Sequence, residues 1–264
     1  MRFYYIVKST KPDVIMRYPI TEEQQARTRL GQRLHSSPPF KILEIVLVFA
    51  VGLGIVYVLT QYTTHLVLKQ AIIWLANVVM MLLIWLGLRL RGQKVSDFGV
   101  TFKSITAREG LKTFLLSLLT FVLAALGFVT GSIIMANITG IPEGADMSSY
   151  EYLDNVFMLM LTLFGVYVVS SFGEEFIYRA FLVNRFSELS SNSKPARAIS
   201  LIASAIVFGL VHYEWGPMGM VQTGFMGLAL GYCYLRFKKR LWILVLAHAY
   251  MDTILMIQVY VSNR

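Results

Sequence analysis

Apolar residues run almost without interruption from Ile42 to Val261, separated only by short polar stretches. A helix that crosses a hydrocarbon core of ~30 Å needs roughly 20 mostly apolar residues. Six segments reach that length: 42–60, 71–88, 113–138, 153 to about 185, 218–237 and 241–261. The fourth begins apolar and becomes charged. A seventh, 198–211, is short alone and reaches spanning length when extended to 195–215, with His212 inside it. The runs are continuous rather than alternating, which predicts helices and not the strands of a closed barrel. The expected fold is all-α, a polytopic transmembrane bundle of about seven membrane helices with room for an eighth. It occupies 42–262 behind an N-terminal extension, 1–41. That extension is mixed and basic and lacks the apolar core and cleavage site of a secretory signal, so it is expected to stay on the protein as a cytosolic tail. Within it, Thr21 followed by Glu22, Glu23 and Gln24 reads as a capping box opening a short polar helix over 22–34.

Composition agrees with the pattern. Hydrophobic residues make up 56% of the 264 and charged residues 15%, and the mean hydropathy is +0.61. An ordinary soluble domain carries ~25% charged residues, so soluble, disordered and collagenous readings fail. One cysteine, Cys233, permits neither an intrachain disulfide nor a thiolate zinc site.

Basic residues fix the expected sidedness, because Lys- and Arg-rich loops stay cytoplasmic. Of 24 Lys and Arg, eight fall in 1–41, six in 89–112, three in 185–197 and four in 236–240. The intervening loops hold Lys69 and, at the end, Arg264, while 138–154 is acidic with Glu143, Asp146, Glu151 and Asp154. Seven crossings with the N-terminus cytoplasmic and the C-terminus opposite fit every loop. Topology and anionic lipid headgroups account for the net charge of +9, so a nucleic-acid partner is not expected.

Arg179 is left over, and it belongs to a set of ionisable residues at membrane depth. Such residues cost ~2.5 to 3.5 kcal/mol each on insertion scales and are functional candidates by default. The set comprises Glu174, Glu175 and Arg179 in the fourth segment, His212 after Phe208 in the next, and His248 with Asp252 in the last. Glu174 lies 11 residues from Arg185, His212 15 from Arg197 and His248 8 from Arg240. At ~1.5 Å per residue these separations put all three near the midplane or slightly cytoplasmic of it. Glu175 and Arg179 are spaced i,i+4 and can pair, which leaves Glu174, rotated about 100° away, free for chemistry. His248 and Asp252 share the same spacing, suited to a carboxylate that fixes an imidazole tautomer.

The motifs EExxxR (Glu174, Glu175, Arg179), FxxxH (Phe208, His212) and HxxxD (His248, Asp252), in this order over about 110–262, resemble the CPBP family of CAAX-type prenyl endopeptidases and bacteriocin-processing or immunity (Abi) proteins. The resemblance implies an intramembrane endopeptidase with a cavity open to the cytosol. It implies that Glu174 and His212 activate a water, that His248 and Asp252 stabilise the oxyanion, and that Glu175 and Arg179 hold the site together. An ionised Asp252 can only accept hydrogen bonds, so its expected task is to orient His248, with Asp252→Asn retaining activity. No cofactor is required on this reading. Because the family is described both as glutamate-type and as metalloprotease, a His₂Glu zinc site built from the same residues stays open as the alternative, although no HExxH motif occurs. The implied partners are the lipid bilayer and a peptide or membrane-protein substrate, with prenylation undecided. The cell membrane is the expected location.

Other readings stand beside these. Glu175 and Arg179 also suit a purely structural ion pair, and His212 an interfacial position. His35 and His65 lie outside the set. Gly216, Gly219, Gly224, Gly227 and Gly231 suit close helix packing, with Gln222 and Thr223 as interhelical hydrogen bonders. A non-proteolytic binding, immunity or scaffold protein keeping the motifs is the alternative function. A proton-coupled transporter is a third class, disfavoured by the lack of an inverted repeat.

Overall fold

A computed structural model of the chain describes residues 4–8, 15–19, 29–101, 104–140, 148–189 and 193–264. The described chain is helical except for an antiparallel hairpin, β1 (Tyr4–Lys8) and β2 (Ile15–Pro19), that pairs Tyr4 with Pro19 and Lys8 with Ile15. Eight helices follow: α1 (Arg29–Ser36), α2 (Pro38–Thr60), α3 (Leu66–Arg91), α4 (Ala107–Thr139), α5 (Val156–Leu189), α6 (Lys194–Leu210), α7 (Gly216–Arg236) and α8 (Leu241–Ser262). The capping box at Thr21 lies outside the described residues, and α1 covers the last part of the helix expected over 22–34.

Local chemistry sets the boundaries. Thr106 and Glu109 form a reciprocal capping box at the start of α4, with Glu109 N–H donating to Thr106 Oγ1 at 3.3 Å and Thr106 N–H to Glu109 Oε2 at 3.1 Å. Asn155 caps α5 through Met158 N–H at 2.9 Å, and Ser193 caps α6 through Ala196 N–H at 3.3 Å. Gly92, at φ 75°, ends α3 in the left-handed region that favours glycine.

Helices α2, α3, α4, α5 and α8 are long and apolar enough to cross a membrane, and α6 with the chain from Tyr213 passes only as a bent pair, which would make six. The sequence count of seven differs at this pair. Helix α6 has 17 residues, short of a full crossing, and α7 dilutes its apolar run with five glycines, Gln222 and Thr223. Contacts across the pair run in antiparallel order, Leu201 against Gly231, Ala205 against Gly224 and Gly209 against Met220. The bundle's outward faces expose Leu43, Val46, Leu82, Trp85, Leu115, Ile133, Phe157 and Phe164, a surface suited to lipid.

Of the glycines expected to pack closely, Gly227 and Gly231 meet a neighbouring helix tightly, whereas Gly216 has open space beside it and Gly219 faces Trp215; α4 adds glycines of its own against α7. A Cβ on Gly127 of α4 would stand 2.7 Å from Phe225 O, and one on Gly131 would stand 2.9 Å from Gln222 Cα. Gln222 Nε2 donates to Ser132 Oγ across this contact at 2.8 Å. Thr223, expected to bond between helices, instead donates to Gly219 O of its own helix at 2.8 Å.

The main core wraps α5. Phe176, Ile177, Tyr178, Phe181 and Leu182 pack among Val48, Ile84 and Leu88 on one side and Phe208, Leu230, Tyr234 and Leu244 on the other. Beneath it lies an ion cluster built on Arg91 and Arg185, which the sequence reading counted with the basic loops 89–112 and 185–197 and which instead lie in helices. Both are fully buried. Glu44 of α2 binds Arg91 and accepts from Arg185 Nε at 3.1 Å, and Glu188 accepts from Arg185 Nη1 at 2.7 Å and Arg91 Nη1 at 3.3 Å. Helices α2 and α3 are thereby pinned to the end of α5. The loop after α3 is pinned as well. Gly99 (φ 91°) abuts Lys239 O, leaving no room for a Cβ, while Tyr234 Oη donates to Phe98 O at 3.1 Å.

Candidate active site

Helix α5 is not a uniform α-helix. Val156–Gly165 is α-helical, Val166–Phe172 and Glu175–Val183 are π-helical, and Asn184–Leu189 returns to α. π-turns are rare and concentrate at functional sites. Here they flank Gly173 and Glu174, and the second begins at Glu175.

Glu175 is fully buried, and two donors converge on one of its oxygens. Arg179 Nη1 donates to Glu175 Oε1 at 2.8 Å, the pairing expected from i,i+4 spacing. His248 Nδ1, from α8, donates to the same oxygen at 2.9 Å. Arg179 also lies over the Phe208 ring, 4.1 Å from its centroid. Gly227 makes room for this stack, since a Cβ there would stand 2.8 Å from Phe208 Cδ1 and 3.1 Å from Arg179 Nη2.

The far nitrogen of His248 faces two more carboxylates. Nε2 is 3.9 Å from Glu174 Oε2 and 3.7 Å from Asp252 Oδ1. The expected role of Asp252 in orienting His248 therefore meets a different geometry: the hydrogen bond that fixes the ring comes from Glu175, and Asp252 stands beyond bonding distance. Asp252 is itself held by Ser171, whose Oγ donates to Oδ2 at 2.7 Å. Glu174 Oε1 accepts from Ser170 Oγ at 3.1 Å, while its Oε2 is buried with no hydrogen-bond partner. Glu175 Oε2 and Arg179 Nη2 are also buried and unpartnered.

His212 stands apart from this group. Its Nδ1 donates to Phe208 O at 2.7 Å, which fixes the tautomer when neutral and leaves Nε2 with the lone pair. Its ring packs edge-on against Phe208 and Trp215, at centroid distances of 4.8 and 5.1 Å. No hydrogen bond joins it to Glu174, and Phe208, 6.3 Å from the His248 ring, connects the two imidazoles. Five of the six predicted site residues thus meet directly, and His212 joins them through an aromatic ring.

Both histidines commit Nδ1, so a metal could use only Nε2 of each. Among the described residues no three His, Cys, Asp or Glu side chains are disposed to hold a metal ion. Two residues of the site were missed in the sequence. Ser170 and Ser171 form a polar pair in an apolar run, four residues before Glu174 and Glu175, and that placement was the available signal.

Residues 156–254 match the family model described as type II CAAX prenyl endopeptidase Rce1-like. The similarity covers 99 of the 264 residues. It begins with α5 and ends within α8, and so contains Glu174, Glu175, Arg179, His212, His248 and Asp252. The Rce1-like match agrees with the CAAX protease resemblance of the three motifs. At the level of family it indicates an intramembrane endopeptidase, an integral membrane protein acting on a peptide substrate. No curated protein and no solved structure matches the chain.

Proposed function

We propose that the protein hydrolyses a peptide bond at membrane depth with a water activated by Glu174, without a metal. The observation that carries this reading is Glu174 Oε2, a buried carboxylate oxygen with no protein partner that faces His248 Nε2 inside the Rce1-like segment. A carboxylate so placed is a general base of the kind worth about 10²- to 10⁴-fold in rate.

Glu174 takes a proton from the water, whose oxygen attacks the scissile carbonyl carbon. Its proton then passes to the leaving amine as the C–N bond breaks. His212 acts on the same water through the Nε2 lone pair that its bond to Phe208 O leaves exposed. His248 donates to the developing oxyanion from Nε2. With Nδ1–H already given to Glu175, that donation requires the imidazolium, whose charge Glu174, Glu175 and Asp252 balance. Arg179 neutralises Glu175 and keeps it on His248.

The catalytic unit extends over 42–262 behind the extension 1–41, in the cell membrane, with the N-terminus cytoplasmic and the C-terminus opposite. The loop charges and the antiparallel order of α6 and α7 support this orientation. The substrate is a peptide or membrane-protein segment, and a prenylated C-terminal peptide is the first class to test. Purified full-length protein in detergent is given matched peptides with and without a prenyl group, before and after chelator treatment. Cleavage insensitive to chelator supports the reading. Loss with chelator and recovery with zinc would overturn its metal-free chemistry.

A further inference from the structure

Adjacent residues on a helix point in different directions, so one turn can serve two partners. Ser170 and Ser171, in the π-helical stretch Val166–Phe172, do so. Ser170 Oγ donates to Glu174 Oε1 on its own helix at 3.1 Å, and the fully buried Ser171 Oγ donates to Asp252 Oδ2 on α8 at 2.7 Å. Each serine occupies one oxygen of a carboxylate. The other oxygens, Glu174 Oε2 and Asp252 Oδ1, are the ones that face His248 Nε2.

We propose that Ser171 is a positioning residue for proteolysis, holding Asp252 by one oxygen so that the other stays turned toward His248. This rests on the proposed catalytic reading. A carboxylate in hydrogen-bonding surroundings can rotate about its side-chain torsions to find a better donor. Asp252 Oδ1 stops 3.7 Å from Nε2, too far for the imidazole alone to hold it. The bond from Ser171 supplies the missing constraint and keeps Asp252 from closing on Nε2, the nitrogen required for the oxyanion. Ser171 does not hold the two helices together unaided. One turn away, Tyr167 Oη and Thr253 Oγ1 lie 2.8 Å apart across the same interface, so its removal leaves α5 and α8 joined.

The test is a double-mutant cycle on full-length protein in detergent, with kcat, KM and melting temperature measured for wild type, Ser171→Ala, Asp252→Ala and the pair. Expected results are a kcat for Ser171→Ala lowered about ten- to hundredfold with KM little changed, and a double variant no slower than Asp252→Ala alone. Ser171→Thr, which keeps the hydroxyl, is expected to restore activity. Additive losses in the double variant, or wild-type kcat in Ser171→Ala, would overturn the inference and leave the protease reading intact. A folded wild type that cleaves no peptide would overturn both.

Discussion

His248 Nδ1 and Glu175 Oε1 lie 2.9 Å apart, joining α8 to α5 at the centre of the bundle. The same oxygen receives Arg179, so a single buried carboxylate sets both a guanidinium and an imidazole. Removing it strands both. Glu175→Ala leaves the Arg179 charge buried and uncompensated, and breaking a buried pair in this way costs about 3–5 kcal/mol. A lowered melting temperature in detergent and loss of activity are expected. Wild-type stability in this variant would show that the ion pair does not hold the site.

Asp252 stands outside bonding distance of His248, and its bonded oxygen only accepts. Asparagine keeps an oxygen acceptor for Ser171, so Asp252→Asn is expected to retain substantial activity while Asp252→Ala loses more. Steady-state kinetics on the two variants decide it. Equal and complete loss in both, with folding preserved, would make the carboxylate charge itself essential.

Gly227 gives Arg179 its place on Phe208. The Cβ of Gly227→Ala would meet both Arg179 Nη2 and Phe208 Cδ1, and overpacking of this kind costs about 1–3 kcal/mol. Activity per folded molecule is expected to fall because the displaced guanidinium pulls Glu175 away from His248. An alanine variant with wild-type turnover would show that the guanidinium has room to spare.

Glu44 is the acidic centre of the second buried cluster. Glu44→Ala leaves Arg91 and Arg185 facing each other with Glu188 as their remaining carboxylate, at an expected cost of about 3–5 kcal/mol. Thermal unfolding in detergent measures it. An unchanged melting temperature would contradict the view that this cluster pins α2 and α3 to α5.

Much of this site was legible in the chain because charges in an apolar run have few explanations. The spacing of Glu175 and Arg179 gave their ion pair correctly, and the three motifs named five residues that meet directly together with His212, which reaches them only through Phe208. The contact between Glu175 and His248 was hidden, since it joins residues 73 apart and periodicity speaks only of one helix at a time. The π-helical stretches were hidden as well. They leave no compositional mark, yet the first holds Ser170 and Ser171, the second opens at Glu175, and Glu174 sits between them. Arg91 and Arg185 were misplaced in loops because counting basic residues by segment cannot see Glu44, buried in α2, waiting for them. The pair α6 and α7 was the hardest to count, its span length divided by the break before Gly216.

Glu174 is the residue on which the account depends, and its replacement by glutamine is the most direct test. Glutamine preserves size and the acceptor for Ser170 but cannot take a proton from water. Wild type and Glu174→Gln, purified at equal melting temperature, are compared for cleavage of one peptide substrate. In Glu174→Gln, kcat is expected to fall by about 10²- to 10⁴-fold with binding little changed. A glutamine variant that cleaves at the wild-type rate would contradict it.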